Sequence, residues 1–244
     1  MTLLLVAHGT RDPAGAVTAS ALAEAVAARL PDVPVRLAFA DVCGPSVADV
    51  LVRLRSPVVL VPAFLAAGYH VRVDLPDQIE QIEQTGRPDV RLAEPLGSAP
   101  AVVAAAMERL VEAGWRSSDT VVLAAAGSSD PRARAEVQRA AVSLARMVGK
   151  PVAVGWIATG QPSVHDVVAR SRRRVAVASW LLAPGLFHRW LRQTGADIVS
   201  EPLGTHPLLV DRIVQSYADA QNSQKRPGSS DFAAAIASAA SDQR

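Results

Sequence analysis

The chain carries one ordered set of short blocks twice, and this duplication constrains its fold more than any other feature. AHGTRDP at 7–13 matches AAGSSDP at 125–131, FADVCGPSV at 39–47 matches WIATGQPSV at 156–164, and EPLGSAP at 94–100 matches EPLGTHP at 201–207. A weaker fourth match sets VPAFLAAGYH at 61–70 against ASWLLAPGLF at 178–187. The displacements between start positions are 118, 117, 107 and 117 residues. Blocks repeated in one order at nearly one spacing read as two similar halves, which predicts a cleft between them on a pseudo-twofold axis.

Within each half, short β-rich apolar runs alternate with Ala-rich helical stretches. Strands are predicted at 3–7, 35–40, 58–62, 90–93, 120–125, 152–157, 174–180 and 197–199. Asp12-Pro13, Gly44-Pro45, Leu75-Pro76, Asp130-Pro131 and Gln161-Pro162 are predicted to open helices, where a missing amide removes no intrahelical partner. Apolar strands separated by helices point to an α/β fold: parallel sheets covered on both faces, in two similar lobes. The division read from the repeat is 1–115 for an N-terminal lobe, 116–220 for a C-terminal lobe and 221–244 for a flexible tail.

The 244 residues are half apolar, enough for a sizeable core, and the 25 basic and 23 acidic side chains are interspersed, leaving a net charge of +2. That balance argues against a nucleic-acid footprint. A lone Cys43 excludes a disulfide framework and any paired-cysteine metal motif. The short apolar opening is interrupted at His8, so neither a signal peptide nor a membrane anchor is expected, and the cytoplasm is the default location.

A duplication acts as an internal control, since what the fold needs persists in both copies while what only the chemistry needs can persist in one. Gly9, Asp12 and Pro13 match Gly127, Asp130 and Pro131. His8, Asp41 and His70, by contrast, align with Ala126, Ala158 and Phe187. Each of the three is predicted just past the C-terminal end of a parallel strand, the edge where open α/β sheets bind ligands. Two neutral imidazoles and a carboxylate suit an intermediate divalent metal such as Fe, Co, Ni or Zn, with coordination positions left open. Taken singly, His8 reads as a turn residue, Asp41 as a helix cap and His70 as a surface loop residue; together they read as one exchangeable metal site. His206, in GTHP, is either structural or lines the cleft, and His165 and His188 have no such support.

At these residues the chain resembles a known family. His8-Gly9-Thr10-Arg11 after the first strand, F-x-D-x-x-x-P-S at 39–46, P-x-F-L-x-x-x-x-H-x-x-x-D-L-P at 62–76, GSSDP at 127–131 and GTHP at 204–207 are together similar to the sirohydrochlorin chelatases of the CbiX/SirB type, over residues 1–220. The resemblance implies a class II chelatase of the long, duplicated form, with two flavodoxin-like, chelatase-like lobes and a cleft between them, that inserts Co²⁺ or Fe²⁺ into sirohydrochlorin without ATP or an organic cofactor. It maps the metal-binding histidines onto His8 and His70 and the acidic ligand onto Asp41. Family members commonly carry Glu at that last position. Asp is one methylene shorter, so either the backbone sits closer to the metal or the carboxylate acts through water. Gly44 is a second departure, where relatives can carry another acid.

Insertion requires the metal to shed water and two pyrrole N–H protons to leave. His8, Asp41 and His70 are expected to hold the partly hydrated cation beside the ring, one histidine accepting a pyrrole proton as its metal bond breaks. Phe64, Leu65 and Tyr69 are expected to pack on the ring face, Arg11 and Arg72 to meet its peripheral carboxylates, and His206 to line the cleft if it is not structural. Two rivals are a non-enzymatic metal or tetrapyrrole carrier and a histidine-phosphatase-like hydrolase. The latter needs several cationic donors around its nucleophile, and Ala7 stands where that motif has arginine. The expected partners are the tetrapyrrole and the cation, and neither nucleic acid nor membrane is expected.

Overall fold

A computed structural model describes residues 1–66, 68, 70–84 and 89–223, without the side chains of His70, Val71 and Glu83. It contains two four-stranded parallel sheets. β1 (Thr2–Ala7), β2 (Val35–Phe39), β3 (Val58–Pro62) and β4 (Val90–Leu92) form the first, in spatial order β2-β1-β3-β4. β5 (Thr120–Gly127), β6 (Val152–Thr159), β7 (Val175–Trp180) and β8 (Ile198–Val199) repeat that order as β6-β5-β7-β8. The registers also correspond: Val6 lies opposite Pro62 as Ala124 lies opposite Ser179, and Leu60 opposite Leu92 as Val177 lies opposite Val199.

The strands form where the apolar runs predict them because both faces of each central strand are buried. In β1, Leu3 and Leu5 point into one core shared by the two halves, while Leu4 and Val6 point into an outer core belonging to the first half. In β5, Val121, Leu123 and Ala125 join the shared core, and Val122 and Ala124 the second half's outer core. The outer faces are covered by α2 (Val47–Leu51) and α3 (Leu75–Glu83) in the first half and by α6 (Val164–Arg170) and α7 (Leu186–Arg192) in the second.

α1 (Pro13–Arg29) and α5 (Pro131–Val148) begin as predicted. Asp12 accepts the Ala14 N–H and Asp130 that of Arg132, each with proline in the first helical turn. The expectation for Gly44-Pro45 and Gln161-Pro162 is corrected: neither proline opens a helix. Ser46 caps α2 in a reciprocal capping box with Asp49, and Ser163 caps α6 by accepting the Asp166 N–H. A serine followed three residues later by an acid satisfies two orphan donors at once, which places the helix start after the serine rather than at the proline.

The last helix of each half crosses to the other sheet. α4 (Pro100–Glu112) packs against β7 and α5, whereas α8 (Pro207–Asn222) packs against β3, β4 and α1, and the two helices also touch each other. The duplicated EPLG blocks lie at the two crossings. There Gly97 and Gly204 adopt positive φ, and their N–H groups donate to the carbonyls of Phe64 and Leu182. Near its end α8 is fixed to the first half by Tyr217, whose hydroxyl donates to the Met1 carbonyl at 3.1 Å, and by Arg91, whose Nη1 donates to the Gln221 carbonyl at 2.7 Å. Gln221 and Asn222, read from sequence as the start of the tail, complete this helix; residues 224–244 lie outside the described residues. No described helix is long and apolar enough to cross a membrane.

Candidate functional site

β1 is flanked by β2 and β3, so the loops carrying His8, Asp41 and residue 70 leave three neighbouring strands at one edge of the first sheet. His8 is the residue after β1. Its exposed imidazole stands edge-on to Phe64, 5.9 Å between ring centroids, and its carbonyl accepts the Asp41 N–H at 3.0 Å. Asp41 is exposed as well, and its Oδ1 accepts the Val42 N–H at 2.7 Å. Gly9 lets these two loops touch. It has φ +95°, and a Cβ added there would lie 2.0 Å from the Asp41 carbonyl oxygen, so no other residue allows the approach without displacing the backbone.

His70 opens a π turn, His70–Asp74, that runs into α3. Its side chain lies outside the described residues, as does the whole of Tyr69. Among the described residues no group of three His, Cys, Asp or Glu side chains is gathered; the structure brings His8 and Asp41 together through the backbone.

The other sequence candidates are placed as follows. Arg11 is exposed and lines the cleft between the halves. Arg72 is exposed within the π turn, its N–H donating to the Gly68 carbonyl at 3.2 Å. Phe64 packs on the outer core beside His8. Leu65 packs on the shared core, and its carbonyl accepts the indole N–H of Trp180 from the second half at 3.2 Å. His206 is 3% exposed and outside the cleft lining; its Nδ1 accepts the Leu208 N–H to cap α8, and its Nε2 faces Glu108 of α4 at 3.2 Å.

The cleft itself, about 800 Å³, is bounded on one side by the β1–α1 turn with His8, Thr10 and Arg11, and by Val42 of the next loop. On the other side stand Leu182, Leu186, Phe187 and Arg189 of the second half. Val42 has φ +68°, a left-handed backbone that is rare for a β-branched residue and marks a loop held by its surroundings. Across the mouth, Arg189 Nη1 contacts Asp12 Oδ2 at 2.5 Å. That hydrogen bond, and then the one from Ala14 N–H, hold the Asp12 carboxyl below the usual carboxylate range. His188, next to Phe187, is 4% exposed with Nε2 3.1 Å from the Ser200 carbonyl, and burial pushes its pKa down.

The second wall is not marked in the sequence by ligand-type side chains present in one half only. A signal was nonetheless available: Arg189 follows Arg72 by 117 residues, so both halves keep an arginine two positions after the site of His70 or Phe187.

Fold and cleft define a class of duplicated α/β proteins that close two four-stranded parallel sheets around an interlobe site. The CbiX family model matches residues 2–113 and again residues 120–220, so the chain belongs to the CbiX family, in its long two-half form. A curated relative, the sirohydrochlorin cobaltochelatase of Methanococcoides burtonii, is 28% identical over 87 residues, which is 34% of this chain and 66% of the relative's length, just under two thirds. Among solved structures, CbiX described as the terminal enzyme for biosynthesis of siroheme in denitrifying bacteria has a TM-score of 0.71 at 28% identity, covering 90% of this chain and 99% of that one. SirB from Bacillus subtilis with Fe³⁺ shares the fold with a TM-score of 0.76 at 23% identity, covering 91% and 95%.

Proposed function

We propose that this protein inserts a divalent metal ion, Co²⁺ or Fe²⁺, into sirohydrochlorin, as a step of cobalamin or sirohaem formation. The observation that carries this reading is the cleft: about 800 Å³, largely apolar in lining, with His8 at one edge and arginines at its rim. The volume lies within the ~300–1,000 Å³ of ordinary ligand sites, and the lining suits a flat hydrophobic ring with anionic substituents. Family membership across both halves supports it.

In this reading the cation is a substrate, held by His8, Asp41 and His70 at the edge of the first sheet. The ring binds with its pyrrole nitrogens toward the metal. As each metal–nitrogen bond to the ring forms, a bond to a protein ligand or water is released, and the two pyrrole protons leave, one of them to the histidine freed from the metal. The balance is M²⁺ plus free-base ring giving metallated ring plus two protons, with no redox change and no organic cofactor. The apolar wall excludes water from the ring face.

The test is metal insertion followed by the change in tetrapyrrole absorption, with Co²⁺, Fe²⁺ and Ni²⁺ side by side. His8→Ala and His70→Ala are each expected to lower the rate at least ~100-fold, the scale of a lost acid–base group. Undiminished rates in both remove the metal-site assignment. Stoichiometric binding of ring and metal without product would make the protein a carrier instead.

A further inference from the structure

His8, of the proposed metal-side groups, lines the cleft from the first half, and the opposite wall belongs to the second half. That wall is the chain from Leu181 into the first turn of α7. Leu186 is 49% exposed and lines the cleft, facing it together with Val42 of the first half, itself 47% exposed. Phe187 sits 5.6 Å, centroid to centroid, from Trp190, which is 43% exposed. Apolar side chains that face a cleft from both sides, Leu186 and Phe187 on one wall and Val42 on the other, mark a contact surface for a ligand rather than part of a core. Beside them Arg189 reaches across the mouth to Asp12. The arginine side chain is 60% exposed, whereas that of Asp12 is 17% exposed.

Resting on the reading that the cleft takes a polycarboxylate tetrapyrrole, we propose that Arg189 is the specificity-determining residue of the second wall: its guanidinium leaves Asp12 for a carboxylate on the rim of the macrocycle. The exchange is chemically balanced, one carboxylate replacing another on the same guanidinium, with no proton moved. It is energetically accessible because the arginine side chain stays 60% exposed in the pair, and an ion pair with one member so open to water contributes little to stability. Asp12 also keeps its other task, Oδ1 still accepting the Ala14 N–H at 3.0 Å to cap α1 while Oδ2 becomes hydrated. A planar guanidinium matches a free carboxylate with two parallel hydrogen bonds. The exchange therefore selects rings with ionised rim substituents over neutral ones of the same size.

The duplication supports this assignment. Arg72 and Arg189 stand 117 residues apart, the displacement that also relates β3 to β7, whereas His70 becomes Phe187 at the same displacement. One metal ion needs one set of ligands. A ring carrying carboxylates around its whole rim meets both walls, so an anion receptor is retained in both halves where a metal ligand is retained in one.

The experiment measures binding of uroporphyrin, a stable octacarboxylate ring, to the metal-free full chain by the shift of its main absorption band, and KM and kcat for metal insertion into sirohydrochlorin. Arg189→Gln is expected to raise Kd and KM about tenfold, the scale of one partly solvated charge-assisted contact, with kcat nearly unchanged. Arg189→Lys restores part of the loss. Asp12→Asn, which keeps a capping side chain but removes the competing charge, leaves Kd unchanged or lowers it. The salt dependence of binding is shallower in Arg189→Gln than in the wild type.

A structural clasp predicts a different pattern, with Asp12→Asn and Arg189→Gln weakening binding alike; that result overturns the proposal, as does a Kd and KM unmoved by Arg189→Gln. If the wild-type chain inserts metal normally while Arg189→Gln is indistinguishable from it, only the Arg189 assignment fails. If the wild-type chain neither binds the rings nor inserts metal, the chelatase reading fails and takes this one with it.

Discussion

Histidines in this chain are sorted by their surroundings rather than by their chemistry. His8 is exposed at the cleft, His206 is spent capping α8 and facing Glu108, and His188 is buried in α7 with its ring N–H on the Ser200 carbonyl. For His188, burial is the largest influence and lowers the pKa below the ordinary 6.5. The Ser200 hydrogen bond and then Glu201 oppose that shift, while Arg192 adds to it. A depressed folded-state pKa means that the unfolded chain takes up a proton near pH 6.5 while the folded chain does not. This contribution to stability is therefore complete above pH 6.5 and is lost as the pH falls toward the lowered value. Asp12, Asp49, Asp119 and Asp166 are shifted below 3.8, so their contribution disappears only in a separate, more acidic window. Urea midpoints are expected to fall between pH 7 and pH 5 in the wild type. In His188→Gln the fall should be smaller, from a starting stability lower by about 1–2 kcal/mol. Equal falls in the two proteins would show that His188 does not couple folding to pH.

At the scale of elements, the turn after β1 and the turn after β5 are the same device with different contents. Asp12 N–H donates to Thr10 Oγ1 and Asp130 N–H to Ser128 Oγ, each at 3.0 Å. Gly9 and Gly127 have φ +95° and +103°, and a Cβ on either would lie 2.0 Å from a backbone oxygen, that of Asp41 or of Thr159. Gly9→Ala and Gly127→Ala should therefore each cost at least ~2 kcal/mol in thermal or urea unfolding, combining positive-φ strain with backbone displacement. Only Gly9→Ala should also weaken Co²⁺ binding, measured by titration at a temperature where both variants are folded; equal metal affinities would detach Gly9 from the site. The retained glycines, aspartates and prolines made this turn legible in the sequence, and the strands were legible because burial on both faces writes them as apolar runs. The starts of α2 and α6 fall after a serine rather than at the preceding proline, because a serine with an acid three positions on satisfies more orphan amides. The second cleft wall was hidden for another reason. Leu186 and Phe187 gain meaning only when folding brings them opposite His8 and Arg11, and the repeat that matches Arg189 to Arg72 does not record that juxtaposition.

The exchange of α4 and α8 between sheets could not be read from the repeat, because the blocks keep the same displacement whichever sheet a helix covers. Its consequence is that the first half does not complete its own inner face: Leu3, Leu5, Val59 and Val61 lie in a core to which α8 of the second half contributes Leu209, Val210, Ile213 and Tyr217. Residues 1–115 alone would leave that face uncovered, at a cost of about 1.5–3 kcal/mol for each large apolar side chain returned to water. The same fragment contains α4, the counterpart of α8, with Val102, Val103, Ala106 and Leu110 fully or almost fully buried against the shared core. Two copies can therefore satisfy each other, each α4 covering the partner copy's sheet, so that the pseudo-twofold axis becomes a true one. The fragment is expected to elute from size exclusion at twice its mass by light scattering and to unfold with a midpoint that rises with concentration. A folded, concentration-independent monomer would mean that the crossed helices are dispensable to each half, and the shared core would then join two units already complete.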